Sequence, residues 1–211
     1  YLEPRLIYTS EDFRLGTGKN ADRRTIHLGI DVFARSGTEI FSPLKGRVVY
    51  SHFCDKPLDY GGFIVIEHST PSGIPFFSLF GHLDPKSLRF HVGECLEKGD
   101  SVGRIGSKSV NGGWEPHLHL QLALGLGQEN NWPGVCNPDD IEFWSQYLHL
   151  GQFESFPLRR IPLSLNVFLI GSFECHFLPG FAAQADSSSV NSLPNSTSVF
   201  EVLIENFLIS F

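Results

Sequence analysis

The chain has 211 residues, enough for one ordinary domain with an extension or for two small ones. Hydrophobic residues make up 41% and charged residues 18%, and 21 Gly with 13 Pro favour short strands and tight turns over long helices. A net charge of −7 argues against nucleic acid or anionic lipid as a partner, and no apolar run approaches the ~18 residues of a membrane span.

Residues 1–24 are polar and are expected to form an irregular N-terminal segment, ending in the Arg23-Arg24 pair. No methionine occurs, even at position 1, so the sequence reads as a piece of something larger, its native N-terminus and any signal peptide unseen. From residue 25 the text becomes short apolar runs, such as Arg47–Tyr50, Phe63–Glu67, Pro75–Phe80 and Ser101–Ile105. Ser42-Pro43, Gly61-Gly62, Pro71-Ser72-Gly73, Asp84-Pro85 and Gly112-Gly113 punctuate them, and the spacing predicts antiparallel strands. The clearest is His117–Leu124: Leu118, Leu120, Leu122 and Leu124 share one face and His117, His119 and Gln121 the other. One face is expected to be core and the other to carry the two imidazoles. Residues 137–148 predict one short helix, with Asn137 or Asp139 as cap and Pro138 in its first turn. The expectation is a β domain over 25–148 and a tail over 149–211 with no sustained period and no assigned role.

The four cysteines, Cys54, Cys95, Cys136 and Cys175, are far apart with no C-x-x-C pair. That argues against a disulfide framework or an all-cysteine zinc site, and idle thiols of this kind fit a reducing compartment.

Three histidine patterns bear on chemistry. His117 and His119, two apart on a strand, point into the same space. His27-Leu28-Gly29-Ile30-Asp31 sets a carboxylate four residues from an imidazole, with Gly29 expected to let the backbone bend so that both converge. Phe80-Gly81-His82-Leu83 puts a third imidazole at a strand end before a turn. Catalytic zinc takes three protein ligands of these types and keeps a fourth position open. Each pattern alone is commonplace.

Their order, H-x-x-x-D then G-H-L then P-H-L-H, resembles the lysostaphin/LytM family of zinc metallopeptidases. The stretches between resemble it too. Gly37–Val49 is similar to that family's G-T-P-V-x-A-P-x-x-G-x-V, Asp59–His68 to Y-G-N-x-V-x-I-x-H, and Val92–Gly103 to V-G-x-x-V-x-x-G-x-x-I-G. The likeness runs from about Thr25 to Leu124. It implies a mostly β fold, a compact antiparallel sandwich-like core followed by one short helix. It implies Zn2+ held by His27, Asp31 and His119, with His82 and His117 as catalytic histidines, and a zinc endopeptidase acting on peptidoglycan-like or glycine-rich peptides. His68 fits the family frame as a structural position, while His52, His91, His149 and His176 read as surface or packing residues.

The sequence departs from that pattern in three places. Ser107–Pro116 is longer and bulkier than usual, so that Trp114 and Glu115 are expected to overhang the substrate cleft. The turn at Thr70–Pro75 is extended, and Gly62 stands where Asn is common. These features resemble the version of the domain embedded between a kinase-like phosphotransferase and a pyridoxal-phosphate aminotransferase. That resemblance implies covalently fused neighbours, a cytoplasmic setting and, as the alternative function, a metal-binding accessory module with little peptidase activity. Otherwise the cell envelope or secretion is implied.

Overall fold

The computed structural model describes residues 2–15, 22–70, 73–125 and 132–147. The expected tail at 149–211, with His149, Cys175 and His176, lies outside the described residues, as do Leu148 of the expected helix and Pro71-Ser72 of the expected turn.

Thirteen strands occur among the described residues: β1 (Glu3–Pro4), β2 (Arg14–Leu15), β3 (Asp22–Arg23), β4 (Ile26–His27), β5 (Ile30–Phe33), β6 (Glu39–Phe41), β7 (Gly46–Cys54), β8 (Gly61–Ser69), β9 (Pro75–Leu83), β10 (Cys95–Leu96), β11 (Ser101–Arg104), β12 (His117–Ala123) and β13 (Val135–Cys136). Six form the central antiparallel sheet, in the order β10-β7-β8-β9-β12-β5. β4 lies between β1 and β13 in a separate three-stranded sheet, and β11 pairs with β6. The N-terminal stretch, expected to be irregular, thus supplies an edge strand, β1, to the sheet that holds His27. No helix among the described residues is long and apolar enough to cross a membrane.

The fold is the expected mostly β, antiparallel sandwich, and its two cores lie on opposite faces of the central sheet. Alternation along β8 and β9 sends Phe63, Val65, Phe77 and Leu79 into one core, with Ile26, Leu28 and Trp132. It sends Ile64, Ile66 and Phe80 into the other, with Ile40, Val102 and Leu118. Strands enclosed on both sides need apolar residues at nearly every position, as in the run from Gly61 to His68. β12 shows this too. The reading that only its leucine face is core needs correction, because His117, His119 and Gln121 are buried as well. The second face is roofed by β4, β13 and the segments beside them, which an inspection of β12 alone does not reveal.

The expected helix is a 3₁₀ turn at Pro138–Asp140 running into α1 (Ile141–Tyr147). Asn137 rather than Asp139 is the cap, its side chain accepting from the Asp139 N–H at 3.0 Å.

Candidate metal and catalytic site

The site forms where the first of these cores runs out towards solvent. Along β12, Ala123 lies in that core and Gln121, His119 and His117 follow on the same face. β12 pairs with β5 so that His119 stands directly opposite Asp31 and His117 opposite Phe33. Directly opposed residues on one face approach closely, so the carboxylate and the imidazole meet by register alone. His27 arrives from β4, in the neighbouring sheet, and the Leu28-Gly29 step carries the chain across to Asp31.

Three donor atoms converge. His27 Nε2 is 3.0 Å from His119 Nδ1, and Asp31 Oδ1 is 3.3 Å from each of them. Tetrahedral zinc with ligand bonds of about 2.1 Å requires donor separations of roughly 3.4 Å. His119 donates its Nε2–H to Gln121 Oε1 at 3.2 Å, which leaves the Nδ1 lone pair facing the group. Asp31 Oδ1 is buried yet accepts no hydrogen bond of normal geometry. A buried acceptor of that kind is costly unless something positive completes it, and a divalent cation does so.

The electrostatics agree with the geometry. Burial pushes the Asp31 carboxyl upward, but the His119 and His27 rings, each 3.3 Å from Oδ1, hold it well below the carboxylate range whenever they turn an N–H towards it. Burial brings His27 down to about 4, despite the opposing pull of Asp31. An ionised Asp31 beside a neutral His27 imidazole is a pairing that a metal could use.

His82 and His117 stand beside this triad with ring centroids 4.3 Å apart. His117 Nδ1 donates to the Glu115 carbonyl at 2.6 Å and its Nε2 is 3.6 Å from Asp31 Oδ1. His82 Nδ1 donates to the Asn111 carbonyl at 3.0 Å. Both rings thus leave Nε2 as an acceptor. Burial, followed by the neighbouring His117, lowers the His82 pKa well below normal, and burial also lowers that of His117.

His82 reaches this face through a β-bulge. Between the pairs Gly62↔Leu83 and Ile64↔Phe80, two residues of β9 oppose one of β8. Phe80 and Leu83, three apart, consequently enter the same core, and His82 turns the other way. It does so with φ at +63°, a left-handed conformation unfavourable for a residue with a Cβ.

All five histidine and aspartate positions singled out in the sequence lie together. Trp114 and Glu115 line the same cleft, of about 920 Å3. Trp114 packs edge-on to Tyr8 with ring centroids 6.3 Å apart, and the buried Asn111 ties the loop by donating to the Trp114 carbonyl at 3.0 Å. Glu115 contributes its carbonyl inward while its carboxylate pairs with Lys108. His52 also borders the cleft. His68 is structural, with Nδ1 donating to the Lys45 carbonyl and Nε2 meeting Ser78 Oγ at 2.7 Å.

Sequence reasoning missed Arg5, whose Nη1 donates to Asp31 Oδ2 at 2.5 Å, and the role of Gln121. Gln121 carried a signal, the period-two alternation that places it on the imidazole face. Arg5 carried none.

Residues 25–131, half of the chain, match Peptidase family M23. The chain belongs to that family. An M23 peptidase is a peptide hydrolase, and this M23 domain shares 27% identity over 115 residues with the endolysin of Staphylococcus phage 2638A. That match takes in 53% of this chain and only 22% of the endolysin. The catalytic domain of the antimicrobial peptidase lysostaphin from Staphylococcus simulans aligns at 22% identity and a TM-score of 0.40, over 57% of this chain and 80% of that one. The catalytic domain, as a point mutant, of the prophage-encoded M23 protein EnpA from Enterococcus faecalis aligns at 24% and 0.40, over 61% of this chain and 96% of that domain. A zinc-containing peptidase from Vibrio cholerae aligns at 22% and 0.38, over 56% and 35%.

Proposed function

We propose that this domain is a zinc-dependent metalloendopeptidase that cleaves peptide bonds in peptidoglycan-like or glycine-rich peptides. One observation carries the reading: the triangle of His27 Nε2, Asp31 Oδ1 and His119 Nδ1, with an unsatisfied buried oxygen at one corner, opens beside two further imidazoles. His27, Asp31 and His119 are the ligands. Zinc there supplies a Lewis acid that polarises a peptide carbonyl and makes water acidic near neutral pH.

His82 and His117 handle the proton. Each Nδ1–H is committed to a backbone carbonyl, so each Nε2 enters the reaction as a base. Their depressed pKa values keep both rings neutral and ready to accept at pH 7. The pair takes the proton of the attacking water, and the ring that holds it returns it to the departing amine. The imidazolium in the interim hydrogen-bonds the developing oxyanion. Trp114 and Glu115 wall the substrate cleft, and the endolysin and lysostaphin relatives support a cell-wall peptide as its occupant.

The test is zinc content followed by hydrolysis of cross-linked cell-wall peptide. Wild type is expected to hold one zinc and cleave. Asp31→Ala is expected to lose the metal. His117→Ala is expected to keep it while kcat falls by about 10²–10⁴. Metal-loaded wild type that cleaves neither wall peptide nor oligoglycine would overturn the reading.

A further inference from the structure

We propose that Glu3 and Arg5 are positioning residues of the metal centre, one facing the outer side of each of the two ligands His27 and Asp31. This rests on the metal-site reading above. β1 pairs with β4 in the register Glu3↔His27, and the Arg5 N–H donates to the Thr25 carbonyl at 2.8 Å. The main chain therefore lays Glu3 and Arg5 against the ligand strand before any side chain contributes. Arg5 Nη1 holds Asp31 Oδ2 at 2.5 Å, and Oδ1 is left for the cation. Arg5 Nε donates to Glu3 Oε1 at 2.6 Å, and Arg5 Nη2 also pairs with that oxygen. The same Glu3 oxygen lies 3.8 Å from His27 Nδ1, a buried ring nitrogen without a hydrogen-bond partner.

The arrangement has a chemical logic. A carboxylate with one oxygen fixed by a guanidinium is confined to one-oxygen ligation at the other. An imidazole whose outer N–H faces a carboxylate is a more basic ligand with a defined ring orientation. Glu3 and Arg5 carry opposite charges, so together they orient two ligands without altering the net charge of the centre. A mere docking role for the pair is a weaker account, because backbone pairing already docks β1 and a partly buried ion pair adds little stability.

The experiment measures zinc affinity by chelator competition and the visible spectrum of the cobalt(II) form, for wild type, Arg5→Met, Arg5→Lys and Glu3→Gln. Thermal unfolding of each metal-free protein verifies the fold. Arg5→Met is expected to bind zinc about 10–100-fold more weakly. Its cobalt absorption is expected to fall in intensity, as Asp31 becomes free to offer both oxygens and coordination number rises. Arg5→Lys is expected to recover most of the affinity, and Glu3→Gln to lose about tenfold. Wild-type affinity and spectrum in a folded Arg5→Met protein would overturn the proposal while leaving the metal site intact. Should Arg5→Met fail to fold, unchanged affinity in Glu3→Gln overturns it instead. A wild type that binds neither zinc nor cobalt overturns the metal site and the proposal together.

Discussion

Gly29 lies directly under the imidazole of His119: a Cβ placed on it would stand 2.4 Å from both Cε1 and Nε2 of the ring. The glycine between His27 and Asp31 thus serves by its missing side chain. Its φ does not fall in the left-handed region, so the backbone bend anticipated from the sequence is not what demands it.

Gly29→Ala is therefore expected to push His119 off its lone-pair alignment. The Leu120 carbonyl, 2.9 Å from the added carbon, blocks the other direction. Overpacking of this kind costs about 1–3 kcal/mol. Chelator competition is expected to show at least a tenfold weaker zinc site, a loss in line with disturbed ligand support. Unchanged affinity would contradict the contact.

His82 provides a separation of stability from activity. Asn tolerates the left-handed region better than most residues, whereas a β-branched residue there is strained by about 1–3 kcal/mol. His82→Asn is expected to keep the melting temperature within a few degrees of wild type and to lose about 10²–10⁴ in kcat. His82→Val is expected to lose the same activity and to unfold at clearly lower temperature. Equal melting temperatures for the two variants would contradict the strain argument.

Gln121 fixes the tautomer of His119 by accepting its Nε2–H, and Tyr60 Oη stands 3.5 Å from the same oxygen. Gln121→Leu fills similar volume without an acceptor. Zinc affinity is expected to fall about 10–100-fold, with substrate KM little changed. Equal zinc affinity for the two proteins would show that the ring is oriented by packing alone.

Acid is expected to destabilise the metal-free protein in a defined window. Burial lowers the pKa of His27, His68, His82 and His117, that of His27 from 6.5 to about 4. The unfolded chain then binds more protons than the folded one between these values, so stability falls as pH falls. It is complete above pH 6.5 and declines towards pH 4, where the His27 contribution is spent. His27 alone accounts for roughly 3 kcal/mol. Denaturant midpoints measured with excess chelator at pH 7, 6, 5 and 4 check this, and a flat profile would contradict it.

The proposed ligands were legible as candidates because H-x-x-x-D and P-H-L-H are local patterns, and register brings two of them together: Asp31 opposite His119. The strands were legible for the same reason, since alternation and turn residues act over a few positions. The N-terminal contribution was not. Glu3 and Arg5 reach the site through pairing across more than twenty residues, and a two-residue strand has no period to detect. The His82 bulge was equally hidden, because an inserted residue is visible only against the strand it opposes. The burial of the imidazole face of β12 depends on β4 and β13, whose brevity makes them silent in the text.

The strand bearing His27 is flanked by β1 on one side and β13 on the other, residues 3–4 and 135–136. Both flanks fall outside the stretch that matches the family, residues 25–131. A protein trimmed to the recognisable segment would keep every proposed ligand and discard both strands paired with the one that carries His27. The strands that surround this site accordingly extend beyond its signature, and excision for expression or grafting has to respect the seam.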